Sequence, residues 1–332
     1  MQISYLVRII TITLCFLFNT AYANIAGHAK RPDDHAPIGV MRDHVHHKGE
    51  FMASYRIGYM KMKNLINGDD DVSNSEALNS YNMIPTEMTM KMHMIGLMYG
   101  IGHNFNISVM GSFIEKDMDN YGNMSGAFFR DSQGVGDTKI NTSYQFYNND
   151  NIKALFNLAI SLPTGDIDES YDGSRLAYAM QIGSGSYDIL PGLSFNKSYN
   201  DYSYGGQLNA IFRTDMNDNG YKFGDQYNST IWAARRINNN YSISTRFNYT
   251  KTEAIEGFDN SLTIGMMPTA NPALYEREKL ELLIGVNFIA TNNNIMNGNR
   301  LALEFGIPIY ERVDGPMLAS DYRLILGWQQ TF

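Results

Sequence analysis

The chain has 332 residues with 26 basic against 34 acidic side chains, a formal charge of −8, which gives no electrostatic reason to expect a nucleic-acid partner. Its one cysteine is Cys15, near the start, so disulfides, iron–sulfur clusters and cysteine zinc sites are excluded from the rest. With 22 Tyr, 17 Phe and 29 Gly, a mildly polar average and no helical periodicity, the composition is that of a membrane barrel with a wet interior.

Met1 to Arg8 hold one positive charge and lead into the apolar run Ile9 to Phe18, which ends in Ala21-Tyr22-Ala23. This is a secretory signal, residues 1–23, with cleavage expected after Ala23. No later stretch approaches the roughly 20 consecutive apolar residues of a transmembrane helix. Residues 24–49 follow as a His-rich periplasmic segment or plug, holding His28, His35, His44, His46 and His47, five of the seven histidines. Neutral imidazole is the commonest protein metal ligand, which makes His44, His46, His47 and Met41 candidate metal ligands. The spacing His44-Val45-His46-His47 fits no single metal geometry, and a solvated tail, or imidazoles set against barrel carboxylates, stays open as the alternative.

From residue 50 to 332 the pattern is period-two alternation, which puts one set of side chains on each face of a strand. In Lys279 to Phe288 the even positions Leu280, Leu282, Ile284, Val286 and Phe288 are all apolar, against Leu283 alone among the odd ones. Such runs place strands near 50–63, 86–102, 104–117, 134–148, 152–163, 182–198, 202–214, 223–237, 241–252, 279–290, 299–309 and 318–332. The expected fold is all-β, a transmembrane antiparallel β-barrel of about twelve strands, an even number as in bacterial single-chain barrels. Tight turns such as Gly102-His103, Asn200-Asp201 and Asn238-Asn239-Asn240 alternate with mostly long connections near 64–85, 118–133, 164–181 and 253–278. Short periplasmic turns and long outer loops put both termini in the periplasm and the chain in the outer membrane of a Gram-negative bacterium, against lipid and lipopolysaccharide. Tyr322, Leu324, Leu326, Trp328 and Phe332 share one face of the last strand, an ending similar to the signature read by the outer-membrane assembly machinery.

The face opposite the lipid holds Arg56, Asp188, Arg213, Arg246, Glu281, Glu304 and Arg323, which either pair to stiffen the barrel or form a polar constriction. The same logic turns Met60, Met62, Met88, Met90, Met92, Met94, Met98 and Met110 inward as a thioether wall, densest towards the outer mouth. Thioethers suit copper(I), and they are equally flexible apolar filler, so copper handling and apolar packing or solute contact are both open. The acidic clusters Asp69-Asp70-Asp71 and Asp166 to Asp172 lack the twelve-residue calcium pattern and are expected to be solvated. Barrel phospholipases place Ser two residues after a strand His; here Ile95 follows His93 and Phe105 follows His103, so no enzyme is expected.

Ser161-Leu162-Pro163-Thr164-Gly165-Asp166, the run Gly183 to Asp188 leading to Leu190-Pro191-Gly192, and the ending Gly327 to Phe332 resemble the outer-membrane transporters grouped as the "meta-pathway of phenol degradation" family. The resemblance spans most of the chain and implies a barrel that passes small, often aromatic or apolar, molecules. Met41 to His47, with the Met-rich run Pro85 to Met94, looks like a methionine-rich branch of it, where a metal-ion solute, copper, is the competing expectation.

Overall fold

A computed structural model describes residues 31–149, 151–290 and 299–332. The expected signal, His28, Asp150 and the turn 291–298 lie outside them. The alternating sequence forms β1 Phe51–Gly68, β2 Met83–Gly100, β3 Phe105–Gly122, β4 Gly126–Val135, β5 Thr138–Asn148, β6 Ile152–Leu162, β7 Asp188–Tyr199, β8 Tyr202–Arg213, β9 Gln226–Arg236, β10 Tyr241–Thr252, β11 Arg277–Ile289 and β12 Asn299–Thr331. Eleven of these close into one antiparallel ring, with β12 pairing back onto β1; β4 and the short strand Asp70–Val72 hang outside it. Closure leaves no edge, which is what a sheet surrounded by lipid requires.

The 33 residues of β12 are two passes, since at about 3.3 Å per residue a single strand of that length would reach roughly 100 Å. Arg300 Nη1 donates to Gln329 Oε1 at 2.6 Å and Ser320 N to Glu311 Oε2 at 2.7 Å, so the two halves lie side by side. The first half pairs with β11 and the second with β1. The chain folds back at Asp314-Gly315, where Gly315 takes φ +104, a conformation open to glycine. The ring therefore has twelve staves.

The face assignment is clear in the burial: Ile284 is 60% exposed on the lipid side, while Leu283 is fully buried inside. Several boundaries differ from the sequence reading. β1 runs on to Gly68, β3 runs on to Gly122 and turns directly into β4, and most of 310–317 is paired strand, with the turn confined to Asp314-Gly315 and its neighbour. Hydrogen-bond pairing continues above the lipid, where the apolar alternation has already stopped. Outward positions there carry ion pairs instead, Lys61–Glu87 at 2.8 Å, Lys63–Asp321 at 3.2 Å and Lys91–Glu115 at 3.7 Å, and these mark the outer boundary of the lipid belt. The stretch 182–187, expected as strand, belongs to a loop that folds inward, and β7 starts at Asp188.

That loop, residues 163–187, seats the short turn Tyr178–Met180 in the outer mouth. Met180 and Leu176 pack there with Leu65, Ile84, Met88, Met118, Leu318 and Ala77. Ala77 comes from the helix α1 Asn74–Ser80, whose start is capped by Ser73 Oγ accepting from Glu76 N at 3.2 Å.

Candidate functional site

Residues 31–50, before β1, run inside the barrel, and lumen-facing side chains hold their backbone. Ser242 Oγ donates to Pro32 O at 2.9 Å, Arg300 Nη2 to Ala36 O at 2.6 Å, Gln207 Nε2 to Met41 O at 2.7 Å and Asn157 Nδ2 to Arg42 O at 3.1 Å. Gly39 N donates to Glu304 Oε2 at 3.1 Å, and His46 N to Asn106 Oδ1 at 3.0 Å. These partners come from β10, β12, β8, β6 and β3, so the segment is tied to most of the wall. Between those bonds its apolar side chains find apolar wall: Ala36 and Val40 pack on Trp232, and Ile38 on Ala302 and Ile325.

Between this segment and the inward loop lies a cavity of about 510 Å³. Met41, Arg42, Asp43 and His44 form its periplasmic side, and Tyr178 to Ser184 its outer side. Lys116 Nζ holds that outer side by donating to Ala179 O at 2.8 Å and Gln181 O at 2.6 Å, and Ser132 Oγ donates to Met180 O at 2.6 Å. Its wall carries Met52, Met92, Met94, Met98 and Met110 together with Lys139, Asn141, Asp188 and Arg213, and Met110 lies directly beside Lys139 on the neighbouring strand. Arg42 is held by neutral acceptors, Asn141 Oδ1 at 3.3 Å and Asn209 Oδ1 at 3.2 Å.

The expected lumen charges resolve mostly into pairs. Arg213 bonds Asp188, Arg246 meets Glu304 through two 2.8 Å bonds, and Arg323 donates to Glu281 at 2.8 Å. Arg56 is buried beside the cavity without an ion pair among the described residues. The strand register sets Met60 opposite Met90 and Met62 opposite Met88. The thioethers do not form one wall along an open pore, however. Met88, with Met62 against it, sits in the apolar cluster under the inward loop, whereas Met92, Met94, Met98 and Met110 face the cavity. Met62 and Met88 therefore contribute to packing, and nothing at them supports a copper path.

The candidate metal ligands are partly regrouped. His44 Nδ1 lies 2.7 Å from Asp43 Oδ1, and His44 Nε2 lies 3.2 Å from His46 Nε2. His46 Nδ1 faces Glu50 Oε2 at 3.4 Å. His35, which the spacing did not single out, stands edge-on to His44 with ring centroids 4.4 Å apart. Burial and the charge of neighbouring imidazoles push His35 down to about 3 and His46 to about 2, so both are neutral near pH 7. His47 is exposed and outside the cluster, and Met41 lines the cavity instead. Adjacent Asp43-His44 and the four-residue step from His46 to Glu50 were visible in the sequence; the approach of His35 was not.

A closed antiparallel ring with an apolar outer belt is the architecture of an outer-membrane β-barrel. Over residues 67–305 the chain matches the family described as "Putative MetA-pathway of phenol degradation", and it belongs to that family. It is similar in structure to the COG4313 outer membrane channel from Pseudomonas putida F1, at 14% identity over 86% of this chain and 96% of that one, with a TM-score of 0.62. That likeness speaks for the fold. The P. putida toluene transporter TodX, at 9% identity over 86% and 90% of the two chains, has a TM-score of 0.45, too low to carry an argument. No curated protein matches the chain.

Proposed function

We propose that the protein is an outer-membrane channel for a small solute with an apolar body and an anionic end. The observation that supports this is the cavity of about 510 Å³, whose wall combines methionines with cations. Pockets of roughly 300–1,000 Å³ take one small molecule. Arg213 is matched by Asp188, but Arg42, Arg56 and Lys139 form no ion pair among the described residues, which leaves them for a carboxylate, sulfonate or phosphate. Thioethers in the same lining suit an aliphatic or aromatic body, since they adapt to irregular apolar shapes and contact rings favourably. Export through the signal 1–23, and insertion guided by the strand ending in Phe332, belong to the same reading.

Equilibrium binding to the purified protein in lipid nanodiscs tests it, with benzoate and benzyl alcohol as probes. Lys139→Gln should weaken benzoate about tenfold, the scale of one hydrogen bond to a charged group, and leave benzyl alcohol unchanged. Equal loss for both probes, or none, would remove the anionic end from the proposal. Absence of any binding, together with no benzoate-driven swelling of proteoliposomes, would remove the channel reading.

A further inference from the structure

The imidazoles inside the barrel form a site that the solute reading does not use. Asp43 Oδ1, 2.7 Å from His44 Nδ1, accepts the proton carried there, and that leaves the His44 Nε2 lone pair free. Glu50 Oε2, held by His47 N at 2.8 Å, lies 3.4 Å from His46 Nδ1, and its charge favours a proton on that nitrogen. The two Nε2 atoms then face each other at 3.2 Å, an arrangement that calls for a cation between them. Metal–imidazole bonds of about 2.0–2.1 Å in a tetrahedral site separate neighbouring nitrogens by about 3.3–3.4 Å, close to this spacing. His35 stands edge-on to His44, its Nδ1 buried with no hydrogen-bond partner and 3.8 Å from Asp43 Oδ2, so that ligand atoms of His35, Asp43 and His44 lie within 4.8 Å of one another. His44 also borders the cavity, which gives an ion an entry path and a position for water or solute.

We propose that His44 and His46 bind one divalent transition-metal ion of the zinc and copper(II) class inside the barrel, with Asp43 and Glu50 orienting the rings and His35 beside His44. Nitrogen donors without thiolate suit these borderline ions, and a carboxylate behind a ligating imidazole is the usual support. All five side chains lie between residues 35 and 50, so the ion closes the segment on itself.

The test uses the full mature chain, purified, stripped with chelator and titrated with Zn²⁺ by calorimetry. One equivalent should bind. His44→Gln and His46→Gln should each weaken it at least tenfold and Asp43→Asn by roughly 10–100-fold, the usual scale for a supporting carboxylate. His47→Gln and His93→Gln should leave it unchanged. Heat-dependent mobility on gels checks that each variant is a folded barrel. If a variant fails to fold, Cu²⁺ bound to the unaltered protein still decides, because its electron paramagnetic resonance spectrum should show splitting from two or more imidazole nitrogens. Loss of the His variants' effect, no saturable Zn²⁺ binding, or a Cu²⁺ spectrum without nitrogen splitting would each overturn the proposal and leave a shared proton between His44 and His46.

Discussion

At Gly100, the lumen-facing end of β2, a Cβ would lie 2.1 Å from His47 O and 2.9 Å from His46 O. These are backbone atoms, so no rotamer change relieves the overlap. Gly100→Val should therefore push His46-His47 off the wall at a cost of about 1–3 kcal/mol, the usual scale of overpacking. We expect a folded barrel whose single-channel conductance rises severalfold in planar bilayers. Gly111→Val, where nothing lies within 4 Å, is the control and should conduct as the unaltered protein does. Unchanged conductance in Gly100→Val would mean that the segment does not limit flow. The buried Arg246–Glu304 pair shows the other side of residue-scale design, since it holds Gly39 of the segment as well as the wall.

Among the strands, β11 shows how face and filling differ. Ile284 meets lipid, and a charge there near the bilayer centre costs about 2–4 kcal/mol, so Ile284→Arg should lower the urea midpoint of the assembled barrel. The alternation alone predicts a mild effect for Leu283→Arg on the other face. The structure changes that expectation, because Leu283 is fully buried and a Cβ at Gly306 would come within 2.7 Å of its side chain. Leu283→Arg is costly through overpacking and a buried charge, and it does not report on the face. Met94→Arg, which points into the cavity, is the appropriate comparison and should cost less than Ile284→Arg. The reverse order in urea unfolding would contradict the face assignment.

For the molecule as a whole, the cavity is bounded on both sides, by residues 41–44 below and the inward loop above, with Lys116 as the tie on the loop. Lys116→Met removes both bonds to Ala179 and Gln181 while keeping an apolar stem. A cysteine at Met94 should then react with an impermeant thiol reagent applied from outside several times faster than in the Lys116 background, with Leu97→Cys on the lipid face unreactive in both. Equal rates at Met94→Cys would show that the loop opens without that tie.

What the sequence determined by itself is what depends on near neighbours along the chain. Period-two alternation chose the face of each strand, antiparallel order put Met60 and Met62 beside the stretch Met88 to Met92, and alternating loop lengths gave the barrel topology. Strand ends above the lipid were less legible, because Glu115, Asp117 and Asp119 face water there and the pattern that marks a strand is apolar. Only the tertiary structure decided what fills the lumen. Pro32 meets Ser242 across 210 residues and Gly39 meets Glu304 across 265, contacts that exist once the ring has closed and that no local pattern encodes. The same closure brought His35 to His44, left His47 outside, and divided the methionines between packing under a loop and lining a cavity, because a lumen is a shared volume whose occupants are chosen by all twelve staves together.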